Sequence, residues 1–207
     1  MTILMGFELI KIAFVGGLIS LDSTVFGQFM ISRPIVAGPV IGWLCGDVKT
    51  GLLIGAMIEL LWIGVVPVGV GVPLDSAIVC IVATALAANK VQDAAAIAII
   101  FSVPLGIIFK RLDIAHRKWN RVFLPVIENG IKSGRYYILT FVIWLGVFLS
   151  YIKSFLFLFI CICLFNITLA YILPFVISTP ALVKGLQVFM FALPILGLAS
   201  FLSSFTK

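Results

Sequence analysis

Apolar residues run almost without interruption along the chain, and the few breaks between them define the predicted elements. Residues 136–152 and 155–177 are long apolar runs rich in Phe, Leu and Ile, separated by Lys153 and Ser154. A helix needs about 20 apolar residues to cross a bilayer, so each run predicts a spanning helix. Further apolar helices, the first of them spanning or interfacial, are predicted over residues 3–21, 91–109 and 184–203.

The stretch from Arg33 to Asp75 is equally apolar, yet it cannot consist of ordinary spanning helices. Four prolines and eight glycines divide it into short pieces, and the first, residues 34–46, is too short to span. In lipid, broken backbone is tolerated only where it is buried in protein or lines a wet cavity. The pattern therefore predicts re-entrant or broken helices in the N-terminal half, with residues 64–73 forming the tip of a hairpin.

Composition confirms the class of protein. Hydrophobic residues make up 63% of the 207 positions and charged residues 11%, and the mean hydropathy is +1.29. Soluble domains carry roughly a quarter charged residues, so a soluble domain is excluded. We predict an all-α integral membrane protein, a single membrane domain over residues 1–207, with about six to eight segments in a polytopic helical bundle.

The charge pattern indicates topology. The net charge is +6, and seven of the 14 Lys and Arg residues lie between positions 110 and 135. By the positive-inside rule this segment is predicted to be a cytoplasmic loop, which separates an N-terminal half (1–109) from C-terminal helices (136–207). A topological signal of this kind gives no reason to expect nucleic-acid binding.

Motifs for catalysis are missing from the sequence. It has no phosphate-binding glycine loop, zinc spacing or Ser/His/Asp set, so no cofactor, metal site or catalytic residue is predicted. The only histidine, His116, lies among cations without a neighbouring nucleophile, which favours a solvated or interfacial residue over a phosphorylation site or general base. The four cysteines lie in apolar segments and are predicted to be small packing residues.

Charged residues inside the broken stretch point to transport. Arg33, Asp47, Glu59 and Asp75 lie there, and Glu59 has apolar residues on both sides. Ionisable residues at membrane depth are rare and usually face a pathway or a partner. Interrupted apolar segments that gather polar groups indicate the binding site of a transporter. The residues alone therefore predict a membrane transport site.

The order of these breaks also resembles a known family. The run RP-x-x-x-GP-x-x-G-x-x-x-GD-x-x-TG-x-x-x-GA-x-x-E-L, followed by G-V-V-P-V-G and P-x-D, is similar to the C subunit of the mannose/fructose/sorbose-type phosphotransferase system. The resemblance implies a permease that carries a hexose across the bacterial inner membrane, with a membrane-embedded D subunit and within an oligomer. A cytoplasmic B subunit, phosphorylated on a histidine and working with an A subunit, would phosphorylate the sugar. The chain itself would then not be an enzyme.

The resemblance assigns roles to residues at the matching positions. Glu59 and Asp75 are expected to accept hydrogen bonds from sugar hydroxyls, although Asp75 could equally cap the helix that follows it. Asp22 and Gln28, in the polar patch before the arginine–proline pair, are weaker candidates for the same site.

Two further charged residues are expected to be structural. Arg33 and Asp47 would pair with each other or with backbone groups freed by the breaks. The Gly46–Asp47 pair is predicted to end one helix, with Thr50 capping the next.

Some positions depart from the family pattern and keep a second hypothesis open. Ile31 and Ser32 replace an aromatic–histidine pair, Leu74 replaces a proline, and the sequence ends about where one or two more apolar segments usually follow. These departures favour a regulatory or assembly membrane protein that is derived from the family and no longer transports. An unrelated secondary transporter or a vitamin-binding subunit fits the composition but not the order of the motifs.

Overall fold

The computed structural model of the protein describes residues 6–23, 25–63, 74–88 and 94–204. These ranges contain eight α-helices, a 3-10 turn at Arg121–Phe123 and no strand. The helices are α1 Gly6–Leu21, α2 Pro34–Leu44, α3 Val48–Trp62, α4 Ser76–Ala87, α5 Ala94–Asn120, α6 Leu124–Lys132, α7 Tyr137–Ser178 and α8 Pro180–Ser204. Three stretches are long and apolar enough to cross a membrane: Ala94–Lys132, Tyr137–Phe165 and Pro180–Ser203. The predicted all-helical membrane fold is confirmed.

The N-terminal half is built from short helices around α4. The helices α2, α3 and α4 have 11, 15 and 12 residues, fewer than the roughly 20 that a spanning helix needs. Every residue of α4 from Ala77 to Ala87 is buried, so protein rather than lipid encloses this helix. Short, broken helices are therefore confirmed, whereas the hairpin tip predicted for 64–73 lies outside the described residues.

Glycines let α2 and α3 pack backbone against backbone. A Cβ atom on Gly38 would lie 2.3 Å from the carbonyl oxygen of Gly51, and one on Gly55 would lie 2.4 Å from the carbonyl oxygen of Pro34. Side chains larger than hydrogen would push the two helices apart at these contacts. The spacing of small residues thus fixes an antiparallel hairpin in which the start of α2 lies beside the end of α3.

The turn of this hairpin corrects one prediction. The sequence favours Thr50 as the cap of α3, but Asp47 caps it, accepting a hydrogen bond from the backbone amide of Thr50 at 3.1 Å. The Thr50 hydroxyl donates to the second carboxylate oxygen of Asp47 at 2.6 Å. Because an aspartate carboxylate satisfies the amide at the third helical position, α3 begins at Val48.

The prediction of a loop over residues 110–135 is wrong for most of its length. Helix α5 continues through the basic stretch to Asn120, and α6 occupies Leu124–Lys132. Arg117 Nε lies 2.7 Å from Asp113 Oδ2 one turn earlier, and cations in the last turn of α5 face the negative end of the helix dipole. Charge ends the apolar run here, but it does not end the helix.

The two runs predicted as separate spanning helices form one helix. α7 extends over 42 residues, about 63 Å at 1.5 Å per residue. Lys153 and Ser154, the predicted junction between two helices, instead pair inside the protein, Lys153 with Asp113 and Ser154 with Ser20. Because both polar side chains have interior partners, the backbone does not need to break at this point.

Candidate functional site

A cavity of about 290 Å³ lies where the ends of the short helices meet α1, α5 and α7. Its size is close to the lower end of the roughly 300–1,000 Å³ typical of small-molecule pockets. One side, here called the helix-end wall, includes Arg33, Glu59 and Asp75. A second group of lining residues, here called the α5/α7 wall, includes Lys110, Asp113, Arg117 and Lys153. Serine hydroxyls contribute further polar groups: Ser20, Ser23, Ser32, Ser76, Ser150 and Ser154.

Glu59 joins the end of α3 to the start of α2 in the helix-end wall. Its Oε1 lies 3.0 Å from Arg33 Nη1, and its Oε2 accepts a hydrogen bond from the Ile35 amide at 3.4 Å. Its side chain is 17% exposed. The sequence predicts that Arg33 and Asp47 pair with each other or with freed backbone groups, and Asp47 does accept a hydrogen bond from the backbone amide of Thr50. Arg33 pairs with Glu59 instead of Asp47, because Asp47 lies at the turn of the hairpin and Arg33 at its open end.

Asp75 caps α4 and also lines the cavity. Its Oδ1 accepts hydrogen bonds from the amides of Ala77 at 3.0 Å and Ile78 at 3.2 Å, so it caps α4. Among the described residues, no hydrogen bond to its Oδ2 is formed. One carboxylate oxygen therefore holds the helix, and the other can accept a hydrogen bond from a molecule in the cavity.

Asp22 and Gln28 do not line this cavity. Asp22 is 6% exposed and accepts hydrogen bonds from the amides of Phe29 at 2.6 Å and Ser32 at 3.0 Å. Burial raises the pKa of this carboxyl, but the amide hydrogen bonds outweigh it and leave the pKa below its ordinary value. Gln28 is exposed, with a left-handed φ of 52°. Asp22 thus anchors the turn that leads into α2.

The α5/α7 wall is not predicted by the sequence. Asp113 on α5 pairs with Lys153 on α7 through Oδ1 and with Arg117 through Oδ2. The Lys153 and Asp113 side chains are only 11% and 16% exposed. The Lys153 ammonium also lies 4.9 Å from the centre of the Phe109 ring, which favours a cation over the ring face. This network joins α5 to α7 at the cavity.

A signal for this wall is nevertheless present in the sequence. Lys153 is the only charged residue in the 42 residues of α7, and Asp113 is the only acid in the basic stretch KRLDIAHRKWNR. The rule that singles out Glu59, a charge within an apolar run, applies equally to Lys153. Its position next to Ser154 instead suggests a break between two helices.

His116 lies at a helix contact rather than in a solvated loop. Its Nε2 is 3.2 Å from the Ser150 hydroxyl on α7 and 3.4 Å from the Asn120 amide nitrogen. None of the four cysteines forms a disulfide. In the ranges that the structure covers, no group of His, Cys, Asp or Glu side chains is arranged to hold a metal ion.

Comparison with known proteins gives matches to one family. The family model described as the sorbose-specific IIC component of the phosphotransferase system matches residues 6–207. A protein of Escherichia coli K12, named as a second N-acetylgalactosamine permease IIC component, is 36% identical over 113 residues, which cover 52% of this chain and 82% of that protein. The mannose-specific EIIC component of the same strain is 28% identical over 138 residues, 67% of this chain and 50% of that protein. The matched segment thus spans half the length of the mannose-specific relative.

Solved structures share the fold. A structure described as a membrane protein superposes with a TM-score of 0.76, covering 98% of this chain and 80% of that one at 22% identity. A cryo-EM structure of a mannose transporter in complex with microcin E492 gives a TM-score of 0.67, covering 100% and 81% at 20% identity. Together with the family match over nearly the whole chain, these findings show that the protein belongs to the sorbose-type family of phosphotransferase-system IIC components, the membrane permease components of the mannose/sorbose class.

Proposed function

We propose that this chain is the sugar-translocating subunit of a phosphotransferase system, and that it carries a hexose of mannose, fructose or sorbose type across the bacterial inner membrane. The observation that carries the proposal is the cavity at the meeting point of three short helix ends, with Glu59 and Asp75 in its wall. A sugar presents hydroxyl donors, and carboxylate oxygens are strong acceptors for them. Trp62 and Leu74 add apolar surface to the same wall.

The position of the cavity supports coupling to a cytoplasmic partner. Lys110 and Arg117 line it and belong to the basic segment 110–135, which the positive-inside rule assigns to the cytoplasm. A phosphorylated B subunit, working with an A subunit, would approach from that side and phosphorylate the bound sugar. A membrane-embedded D subunit and further copies of the chain would surround the bundle. Sugar phosphate cannot leave the cell, so phosphorylation makes uptake unidirectional.

Thermal unfolding of the detergent-purified chain tests the proposal. The chain would be measured alone and with its D partner, against a panel of hexoses. A ligand that binds only the folded state stabilises it by about 2.7 kcal/mol at a hundredfold excess over Kd. We expect one class of hexose to raise the Tm of the wild type but not of Glu59→Gln. Glu128→Gln, which changes an exposed glutamate on α6, is the matched control and should keep the shift.

Measurement of sugar uptake distinguishes a transport subunit from a regulatory or assembly protein that no longer transports. Proteoliposomes that hold the chain and the D subunit, with phosphorylated A and B subunits outside or inside, should accumulate sugar phosphate only when the B subunit is on the cytoplasmic side. An absence of sugar-induced stabilisation together with an absence of phosphorylation-dependent uptake would overturn the proposal in favour of a regulatory or assembly protein.

A further inference from the structure

The two walls of the cavity differ in charge. The helix-end wall contains two carboxylates, Glu59 and Asp75, and one cation, Arg33. The α5/α7 wall has the opposite balance, with three cations and one carboxylate: Lys110, Arg117, Lys153 and Asp113. Both sets of side chains line the same cavity, so one small molecule inside it can contact both walls. A ligand that carries only hydroxyl groups would need the acceptors of the helix-end wall, but not the cations of the α5/α7 wall.

The cations of the α5/α7 wall retain donors for a further anion. Arg117 contacts Asp113 through Nε, and its two terminal nitrogens have no carboxylate partner within the described ranges. An ammonium group has three donors, and Lys153 directs one of them to Asp113. Lys110 is half-buried and has no carboxylate within ion-pairing distance in the part of the chain that the structure covers. One carboxylate is thus shared by a surplus of cations.

A phosphate monoester fits this surplus. At neutral pH its charge is about −1.5 to −2, and its three oxygens are strong acceptors. Arginine binds phosphate through two parallel hydrogen bonds, and lysine binds it as a point charge. Lys153 is only 11% exposed, so water and salt screen its attraction to an anion in the cavity less than at an exposed site. Free phosphate or sulfate would accept hydrogen bonds from the same cations, but it would not contact the helix-end wall as the sugar ring of a phosphate ester would.

We infer that the α5/α7 wall is the phosphate subsite of the cavity, in which Lys110, Arg117 and Lys153 bind the phosphoryl group of a hexose phosphate while the sugar ring contacts the helix-end wall. This inference rests on the proposed function, since it places the product of sugar phosphorylation in the same cavity. The dianion competes with Asp113 for Lys153 and Arg117. Product binding therefore weakens the ionic contact between α5 and α7, and the empty site restores it.

Binding of free and phosphorylated sugars by the purified chain tests the subsite. The probes are a free hexose, the same hexose as its 6-phosphate, and inorganic phosphate, each measured by calorimetry in detergent without added lipid. Lys110→Gln and Arg117→Gln should lower the affinity for the hexose phosphate at least tenfold and leave the affinity for the free hexose within twofold. Lys132→Gln and Arg135→Gln, which change cations of the basic segment that do not line the cavity, are the controls and should change neither affinity.

Salt gives an independent readout. Raising the ionic strength screens the cations, so the affinity for the hexose phosphate should fall while that for the free hexose stays constant. Equal affinities for the hexose phosphate in the wild type and in both cavity variants would overturn the subsite, even where free hexose binds normally. Displacement of the hexose phosphate by phosphatidylglycerol, with no binding in its presence, would also overturn it and assign these cations to a lipid headgroup.

The outcomes separate this inference from the proposed function. Hexose binding that needs Glu59, with no binding of the phosphate ester, leaves the proposed function intact and overturns the subsite. Phosphate-ester binding that needs Lys110 and Arg117, without any free-hexose binding, supports the subsite and counts against transport of free sugar. An absence of binding by all three probes overturns both.

Discussion

The two halves of the molecule differ in what they bury: the short helices bury their backbone, whereas the long helices expose apolar side chains. Within the N-terminal half, α2 to α4 are short helices that bury their backbone in protein, and α4 is enclosed on all sides. The C-terminal half, α7 and α8, consists of long helices whose large apolar side chains are widely exposed, as at Phe191 with 77% and Phe141 with 66%. Lipid accepts such side chains, but it cannot satisfy a broken backbone.

The comparison shows which half of the sequence is more strongly constrained by the fold. In the C-terminal half many apolar sequences would serve, since the requirement is hydrophobicity over a sufficient length. In the N-terminal half single atoms matter, because glycines set the helix contacts and carboxylates hold the helix ends. The cavity lies between the two halves, and Lys153 is the one charged residue that α7 contributes to it. Equivalent substitutions in the two halves should therefore differ in their effects.

Adding one methyl group should give the largest difference in stability between equivalent variants of the two halves. In Gly51→Ala the new Cβ would lie 2.3 Å from the carbonyl oxygen of Gly38, and backbone atoms cannot turn aside as a side chain can. Overpacking typically costs about 1–3 kcal/mol, and we expect the upper end or loss of the folded hairpin. Gly146→Ala on α7 is the control, because apart from its own stretch of helix no heavy atom lies within 4 Å of the added Cβ.

Thermal unfolding in detergent measures both variants. The control should match the wild type or gain up to about 1 kcal/mol from better helix propensity. A Gly51→Ala variant as stable as Gly146→Ala would contradict the view that backbone contact defines the N-terminal half.

Removal of the Lys153 charge should have the next largest effect. In Lys153→Met, Asp113 keeps only Arg117, which is half-exposed, as a cationic partner. Leaving a buried charge without its partner costs about 3–5 kcal/mol, and the remaining pair with Arg117 favours the lower end. The double variant Lys153→Met with Asp113→Asn removes both charges and should recover at least half of the loss.

Chemical unfolding of the single and double variants measures this coupling. Additive losses in the double variant would show that Lys153 and Asp113 act independently, and that no ionic coupling joins α7 to α5.

The anchor of the turn before α2 should have an intermediate effect. Asp22 lies outside the three long spanning stretches, and its pKa is held below the ordinary value by amide hydrogen bonds that outweigh burial. Asp22→Asn can accept only one of the two hydrogen bonds, at a cost of about 1–3 kcal/mol. A lowered pKa adds stability above the ordinary value of about 3.9, and this stability is lost as the pH falls through the folded-state pKa.

Stability curves of wild type and Asp22→Asn against pH test this sign. The difference between them should be constant above about pH 5 and should shrink on acidification below about pH 4. A difference that grows on acidification would show that the carboxyl, rather than the carboxylate, is the form that the fold stabilises.

Local patterns in the sequence were enough to predict part of this architecture. Breaks at prolines and glycines predicted the short helices, and the isolated acid Glu59 indicated the place where they meet. The α5/α7 wall could not be predicted, because Asp113 and Lys153 lie 40 residues apart and their pairing depends on how α5 packs on α7. For the same reason the sequence pattern wrongly predicts a helix end at Lys153. A charge in an apolar run signals either an end or an interior partner, and only tertiary packing distinguishes the two.

The smallest effects should come from the two aspartates that cap helices in the broken half, and these sharpen the comparison within that half. Asp47 caps α3 at the hairpin turn, and Asp75 caps α4 at the cavity. Replacing either by Ala should cost about 1 kcal/mol, whereas Asn is an equally good cap and should cost little. Only Asp75→Asn removes a charge from the cavity wall, so only this variant should lose hexose-induced stabilisation while keeping the Tm of the free protein. Equal loss of the hexose effect in Asp47→Asn would mean that the net charge of the short helices, rather than a carboxylate oxygen at the cavity, determines sugar binding.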